Sequence, residues 1–246
     1  MPQVFVHAQP IVGAQVVARQ ISDLIRLRAR EGKHAVLGLA TGSTPLALYA
    51  ELVRLHREEG LSFKNVISFN LDEYEGLKPE QPQSYRYYMQ ENLFAKIDIP
   101  LAQTHLPPGI ATNLDQSCQA YEAAIRQAGG IDLQILGIGS TGHIGFNEPP
   151  SEVNSRTRRV HLDAATRKDN AIYFSSLDAV PHGAITMGVA TILDARQVVL
   201  LAFGKNKAAI IQRSLQETPN ANCPATWLQK HPACSFHLDP ASAALL

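Results

Sequence analysis

Long apolar runs are missing from this chain of 246 residues. No stretch approaches the ~18 apolar side chains in a row that a membrane-crossing helix needs. The start, Met1-Pro2-Gln3-Val4-Phe5-Val6, is too short an apolar run for a secretory signal. An excess of either charge is missing too: lysine plus arginine total 22, against 22 acids. Nothing there recommends nucleic acid or an anionic membrane as a partner. Cysteine is scarce. Cys118, Cys223 and Cys234 form no CxxC pair and leave an odd thiol, which fits small buried hydrophobes in a reducing compartment. The expectation is a soluble, cytoplasmic protein without repeats, low-complexity tracts or a linker, folded as one domain over residues 1–246.

What is present is a strict alternation of apolar runs and helical spacings. Strands are predicted at Val4–Val6, Ala35–Ala40, Asn65–Leu71, Ile131–Ile138, Gln197–Phe203 and Ala233–Leu238. Helices are predicted over Ile11–Arg30, from Thr44-Pro45 to about Glu58, near Ser84–Phe94, over Asp115–Ala128, and after Gly204-Lys205-Asn206-Lys207 to about Leu215. Thr44 reads as a helix N-cap and Pro45 as a helix start. The region 160–190 is mixed. The central strands are apolar on both faces, which predicts an α/β fold with a doubly wound, mostly parallel, Rossmann-like sheet and helices on both faces.

In such a sheet, ligands bind outside the carboxyl ends of the strands. Four predicted strand ends carry unusual residues: Thr41-Gly42-Ser43-Thr44, Asp72, Gly139 to Glu148, and Gly204 to Lys207. The first offers hydroxyls and free N–H groups before a helix, which suits a phosphate. A lysine near a helix N-terminus, as at Lys205 or Lys207, disfavours that helix unless an anion lies between them. Gly137 to Gly142 spells G-x-G-x-x-G, yet Gly145, Pro149 and Pro150 follow where a dinucleotide-binding helix should run. The dinucleotide reading falls. His143 and Glu148 lack the spacing of a zinc site, so no metal is expected. An imidazole and a carboxylate in a glycine-rich strand end point instead to acid–base chemistry.

Three segments carry a family resemblance: Leu39-Ala40-Thr41-Gly42-Ser43-Thr44-Pro45, Phe69-Asn70-Leu71-Asp72-Glu73-Tyr74 and, above all, Gly142-His143-Ile144-Gly145-Phe146-Asn147-Glu148-Pro149. Through them the chain resembles the glucosamine-6-phosphate deaminases, within the wider group of sugar-phosphate isomerases and phosphogluconolactonases. The resemblance runs nearly end to end and includes Ser155-Arg156-Thr157 and Ala184-Ile185-Thr186-Met187-Gly188. It implies an aldose–ketose isomerisation that releases the 2-amino group, giving fructose 6-phosphate and ammonia without a cofactor. By that resemblance His143 moves the ring-oxygen proton, Glu148 orients and charges the imidazole, and Asp72 carries the proton between C2 and C1. Thr41, Gly42, Ser43, Thr44, Gly139 and Lys207 would bind substrate, with the turn and the lysine on the 6-phosphate, and Tyr85 would border the site.

Three departures from the family's pattern stand out. Thr141 occupies a relay position where an acid or amide is common; it can hydrogen-bond but holds no charge near neutrality. Ile172 stands where the lid segment, residues 166–174, usually carries a phosphate-binding arginine, leaving Arg167, Lys168 or Lys207 to compensate. Val160 and the end at Leu246 resemble the short, unregulated members, so allosteric activation is not expected. The expected partner is a small amino sugar phosphate, with no nucleic acid and no membrane, bound by a monomer or homo-oligomer. The alternatives are a non-catalytic sugar-phosphate sensor, motivated by Thr141 and Ile172, and a lactonase or plain isomerase acting on a related sugar phosphate.

Overall fold

The computed structural model describes residues 1–246, with every side chain except that of Ala165. Ten strands run through the described residues: β1 (Gln3–Val6), β2 (Ala35–Leu39), β3 (Val66–Asn70), β4 (Asp72–Tyr74), β5 (Thr104–His105), β6 (Leu133–Leu136), β7 (Arg158–His161), β8 (Gly183–Thr186), β9 (Gln197–Ala202) and β10 (Cys234–Leu238). Between them lie the helices α1 (Pro10–Arg30), α2 (Leu46–Glu59), α3 (Tyr85–Asn92), α4 (Leu114–Gln127), α5 (Ala164–Asn170), α6 (Val189–Leu193) and α7 (Ala208–Gln216).

Seven strands form one parallel sheet in the order β1-β10-β9-β6-β2-β3-β5. Its inner strands are apolar on both sides: β2 is buried along its whole length, as is β6, and β9 is buried after its first residue. From β2 the chain builds outward through β3 to β5, then returns to lay β6 against the other side of β2. The order of winding therefore reverses between β2 and β6. That reversal opens a crevice at the carboxyl edge, where the loops after these two strands diverge.

The predicted doubly wound layout holds, and the structure adds a second sheet. β4, β8 and β7 pair antiparallel in that order, with Asp72 opposite Thr186 and Arg158 opposite that same Thr186. This resolves the mixed region of residues 160–190. Tyr74, Phe146, Leu162 and Ala184 make its small apolar core, separate from the main one.

The helix starts differ from expectation at one site. Thr44 does not cap α2: Pro45 is the cap residue, with no side-chain bond to the helix, and α2 begins at Leu46. Thr44 thus remains part of the loop, its hydroxyl uncommitted to the helix. Ser84 and Asn113 do cap, accepting from the Tyr87 and Gln116 amides. Gly204 turns at φ 92° and donates its N–H to Asp239 Oδ1 at 3.0 Å, and a single 3₁₀ turn, Lys205–Lys207, then leads into α7. Among the described residues, no helix is long and apolar enough to cross a membrane.

Candidate active site

All four singled-out strand ends meet on one edge, because the strands that carry them are parallel. Thr41 to Thr44 leave β2, Asp72 follows β3, Gly139 to His143 follow β6, and Lys207 follows β9. They line one cleft of about 580 Å³, together with Tyr74, Tyr85, Tyr88, Phe146 and four residues of the lid, Asp169, Asn170, Tyr173 and Phe174. A volume in this range holds a small organic ligand. Every residue expected to bind substrate lines the cleft, as do Asp72 and His143. Thr141 and Glu148 stand behind the imidazole.

The loop after β6 is folded tightly. Gly139 N–H donates to His143 O and Gly142 N–H to Gly139 O, at 3.0 and 3.1 Å, while Gly142 turns at φ 86°. The fold of this loop brings the His143 ring over its own Gly139. Behind the ring, the Thr141 hydroxyl lies 3.0 Å from His143 Nδ1 and donates to Glu148 Oε2 at 3.3 Å. This network assigns the proton to Nδ1, which gives it to Thr141 Oγ1 or to the same Glu148 oxygen, 3.3 Å from Nδ1. Nε2 is left for the cleft. Burial by itself would push the Glu148 carboxyl up; the His143, Thr166 and Thr141 bonds outweigh it and hold it below the ordinary carboxylate value.

Asp72, in the same cleft lining, is only 6% exposed. Burial, with a smaller repulsion from Glu73, pushes its carboxyl up to about 8. Gly145, at φ 57°, lets the loop pass close by: a Cβ there would stand 3.3 Å from Asp72 Oδ2 and 2.9 Å from Thr186 Oγ1. The next residues are pinned to β8. Phe146 N–H donates to Thr186 Oγ1 at 3.1 Å, and the Asn147 amide reaches Met187 O at 2.8 Å. The loop that carries Glu148 and the strand that carries Asp72 therefore share one scaffold.

The cation supply in the cleft is narrow. Of the lining residues, Lys207 is the one lysine or arginine. Its ammonium donates to Ile138 O at 2.8 Å, and burial lowers its pKa. Arg167 donates to Leu177 O and Val180 O at 2.9 and 3.1 Å, so it staples the lid rather than facing the cleft. Lys168 is not in the lining either, and Ile172 is 78% exposed. Of the three cations expected to offset Ile172, the structure brings Lys207 alone to the site.

Sequence reasoning missed several supporting residues. Glu73 carries no local signal beyond its motif, yet its carboxylate accepts the N–H groups of Tyr74, Tyr85 and Arg86 at 2.8, 2.9 and 3.0 Å. It anchors the start of α3 to the strand bearing Asp72. Tyr88 holds the Thr41–Thr44 turn by donating its hydroxyl to Gly42 O at 2.6 Å. Tyr85 borders the site as expected, its ring parallel to Phe146 within 7°. An aromatic pair three residues apart, beside a capping serine, was the available signal for Tyr85 and Tyr88. Thr166, which donates to Glu148 Oε1 from the lid helix α5, left no signal at all.

The profile of the family described as glucosamine-6-phosphate isomerases/6-phosphogluconolactonase matches residues 10–236. The chain belongs to this family. Within it, a protein of Shewanella woodyi named glucosamine-6-phosphate deaminase is 50% identical over 230 residues, covering 94% of this chain and 87% of its own. One of Cellvibrio japonicus with the same name is 51% identical over 233 residues, covering 95% and 89%. A solved structure of a monomeric glucosamine-6-phosphate deaminase superposes with a TM-score of 0.95 at 40% identity, over 99% of this chain and 100% of that one. The 6-phosphogluconolactonase of Trypanosoma brucei, at 23% identity and a TM-score of 0.79 over 100% and 99% of the chains, shares the fold. Both branches of the family thus build the same parallel sheet. Among the described residues, no three His, Cys, Asp or Glu side chains gather as metal ligands would.

Proposed function

We propose that residues 1–246 form one catalytic domain that converts glucosamine 6-phosphate and water to fructose 6-phosphate and ammonia. The observation that carries this reading is the presence of two acid–base groups in the lining of one cleft. Asp72 brings a carboxyl whose proton affinity is raised toward neutrality, and His143 an imidazole backed by Thr141 and Glu148.

The chemistry follows from that geometry. His143 Nε2, bonded to no protein group among the described residues, takes the O1 proton of the pyranose and returns one to O5, opening the ring to the aldehyde. Glu148 stabilises the imidazolium that forms between the two transfers. Asp72 then removes the proton from C2 and gives it back at C1, while a proton passes from the C2 nitrogen to O1, which leaves a hydroxyl at C1 and an iminium at C2. Water adds there and ammonia leaves. A carboxyl that titrates near 8 is a far stronger base than an exposed aspartate, and the substrate's own C2 ammonium supplies the counter-charge that draws the proton off it. These steps move protons and water only, so they ask for no cofactor.

The 6-phosphate is assigned to the Thr41–Thr44 turn, with its hydroxyls and amides, and to Lys207. The three cysteines are buried free thiols, in keeping with a reducing, cytoplasmic setting. The non-catalytic sensor is not favoured, since the acid–base groups are all present and gathered at one cleft. A lactonase needs no base aimed at a C2 proton, which Asp72 supplies.

The test is ammonia release from glucosamine 6-phosphate by the purified chain, with fructose 6-phosphate identified as co-product. Parallel assays with galactosamine 6-phosphate and unphosphorylated glucosamine define the sugar. Absence of ammonia from all three would end this proposal.

A further inference from the structure

The lid helix does more than cover the cleft. Thr166, on α5, is 4% exposed and donates its hydroxyl to Glu148 Oε1, while Thr141 donates to the other oxygen of the same carboxylate. Glu148 is therefore gripped by two hydroxyls from different elements: one from the loop that carries His143, one from the lid. The grip is not incidental to a loose segment. Arg167, the next residue on α5, ties the helix to the turn at Leu177–Val180 through two carbonyls. Phe174 packs edge-on against Tyr74, with ring centroids 5.5 Å apart at 89°. The segment from α5 to Val180 is stapled to itself and seated on the small core beside Asp72. Its position then fixes where Thr166 stands.

We infer that Thr166 is a positioning residue for ring opening: the seated lid hands Glu148 its second hydroxyl, and this sets the carboxylate that orients and charges His143. The inference rests on the deaminase reading for its kinetic consequences but not for its structural one. A carboxylate has several lone-pair sites, and each donated hydrogen bond favours its ionised form and fixes its rotamer. Thr141, a neutral residue, leaves Glu148 as the only carboxylate bonded to the His143 imidazole among the described residues. The relay's one negative charge is thus held partly by the lid. With the lid unseated, Glu148 would keep the Thr141 and His143 contacts and lose one oxygen's partner. Ring opening would then be slow until closure is complete, so that the imidazole is armed only over a bound sugar.

The experiment compares Thr166→Val, which keeps the shape and loses the hydroxyl, with Thr166→Ser, which keeps the hydroxyl. Losing a hydrogen bond to a charged group corresponds to about ten- to a hundredfold. Thr166→Val should lower kcat by about that factor with KM changed less than about threefold, and Thr166→Ser should retain most of kcat. Deuterium at C2 of the substrate supplies the discriminating readout. If ring opening has become limiting, the isotope effect on kcat falls toward one in Thr166→Val and persists in Thr166→Ser.

A second readout needs no turnover: the carboxyl of Glu148, followed by 13C NMR through a pH titration, should ionise at higher pH in Thr166→Val than in the parent. His143 is the titratable partner it faces, so the titration is repeated with His143→Gln to isolate the hydroxyl's share. An unchanged Glu148 titration overturns the inference whether or not the chain is a deaminase. Equal kcat losses in the valine and serine variants with an unchanged isotope effect also overturn it, since they mark a packing role. Ammonia release absent from the parent would remove the deaminase reading and leave the titration to decide the Thr166 contact.

Discussion

The His143 ring lies directly against the backbone of Gly139: a Cβ at 139 would stand 2.0 Å from Cε1, 2.1 Å from Nε2 and 2.4 Å from Nδ1. Real Cβ contacts are never so close, so any side chain at 139 must displace the imidazole. Gly139→Ala should keep the fold, since the residue sits in a loop past the end of β6, and lose activity. A misplacement of about 1 Å at a reacting group costs on the order of a hundredfold. The measurement is kcat alongside a far-UV spectrum and Tm. A variant with near-parent kcat would show that the ring is not used where it stands.

Asp72 couples activity to stability with opposite signs. Its carboxyl is raised from 3.8 to about 8, by burial first and the neighbouring Glu73 second. The folded chain therefore holds a proton that the unfolded chain releases. This contribution to stability is complete below about pH 4 and is lost as pH rises to about 8. Asp72→Asn has no such proton to lose. It should abolish turnover, and its Tm relative to the parent should climb between about pH 4 and 8 and level off above, at about 2–4 °C per kcal/mol. A Tm difference independent of pH would contradict the raised carboxyl.

Glu73 makes a separate prediction because it carries both an anchor and a charge. Replacing it by glutamine keeps one acceptor oxygen for the three amides it now holds and removes the charge beside Asp72. Glu73→Gln should destabilise the fold by about 1–3 kcal/mol through the amide left unpaired. It should also let Asp72 ionise at lower pH, moving the acid limb of the kcat profile downward. Both shifts are read from one set of chemical melts and one pH–rate series.

Lys207 is expected to decide phosphate selectivity. With Ile172 pointing to solvent and Arg167 committed to the lid, the cleft has this one ammonium for the 6-phosphate. Lys207→Met should raise KM for glucosamine 6-phosphate by about ten- to a hundredfold, the value of one charge-assisted bond. The efficiency on unphosphorylated glucosamine should change much less. A uniform loss on both sugars would instead assign Lys207 to holding the Ile138 carbonyl.

Much of the site was legible because the strands around it are parallel and buried. Continuous apolar runs at 35–40 and 131–138 predicted strands covered on both faces, and the residues just past them had to share an edge. Asp72, His143 and Lys207 are brought together by that rule alone. The prolines after Gly145 ruled out the dinucleotide helix without coordinates. The cap at Thr44 failed for a local reason. Pro45 and the loop's own geometry delay the helix by one residue, which leaves the Thr44 hydroxyl available to a ligand.

By itself the sequence determined the alternation of strand and helix, and therefore the parallel sheet, since local periodicity and burial of both faces are encoded residue by residue. It also supplied the types of group at each strand end. Only the tertiary structure decided the antiparallel trio of β4, β8 and β7, whose strands of three or four residues are too short to show a period and whose pairing joins Asp72 to Thr186 across the chain. Only it decided which cation faces the cleft, and that Thr166 reaches Glu148. Such contacts depend on how the lid packs against Tyr74 and Phe146, and packing between distant segments leaves no periodic trace in the residues that make it.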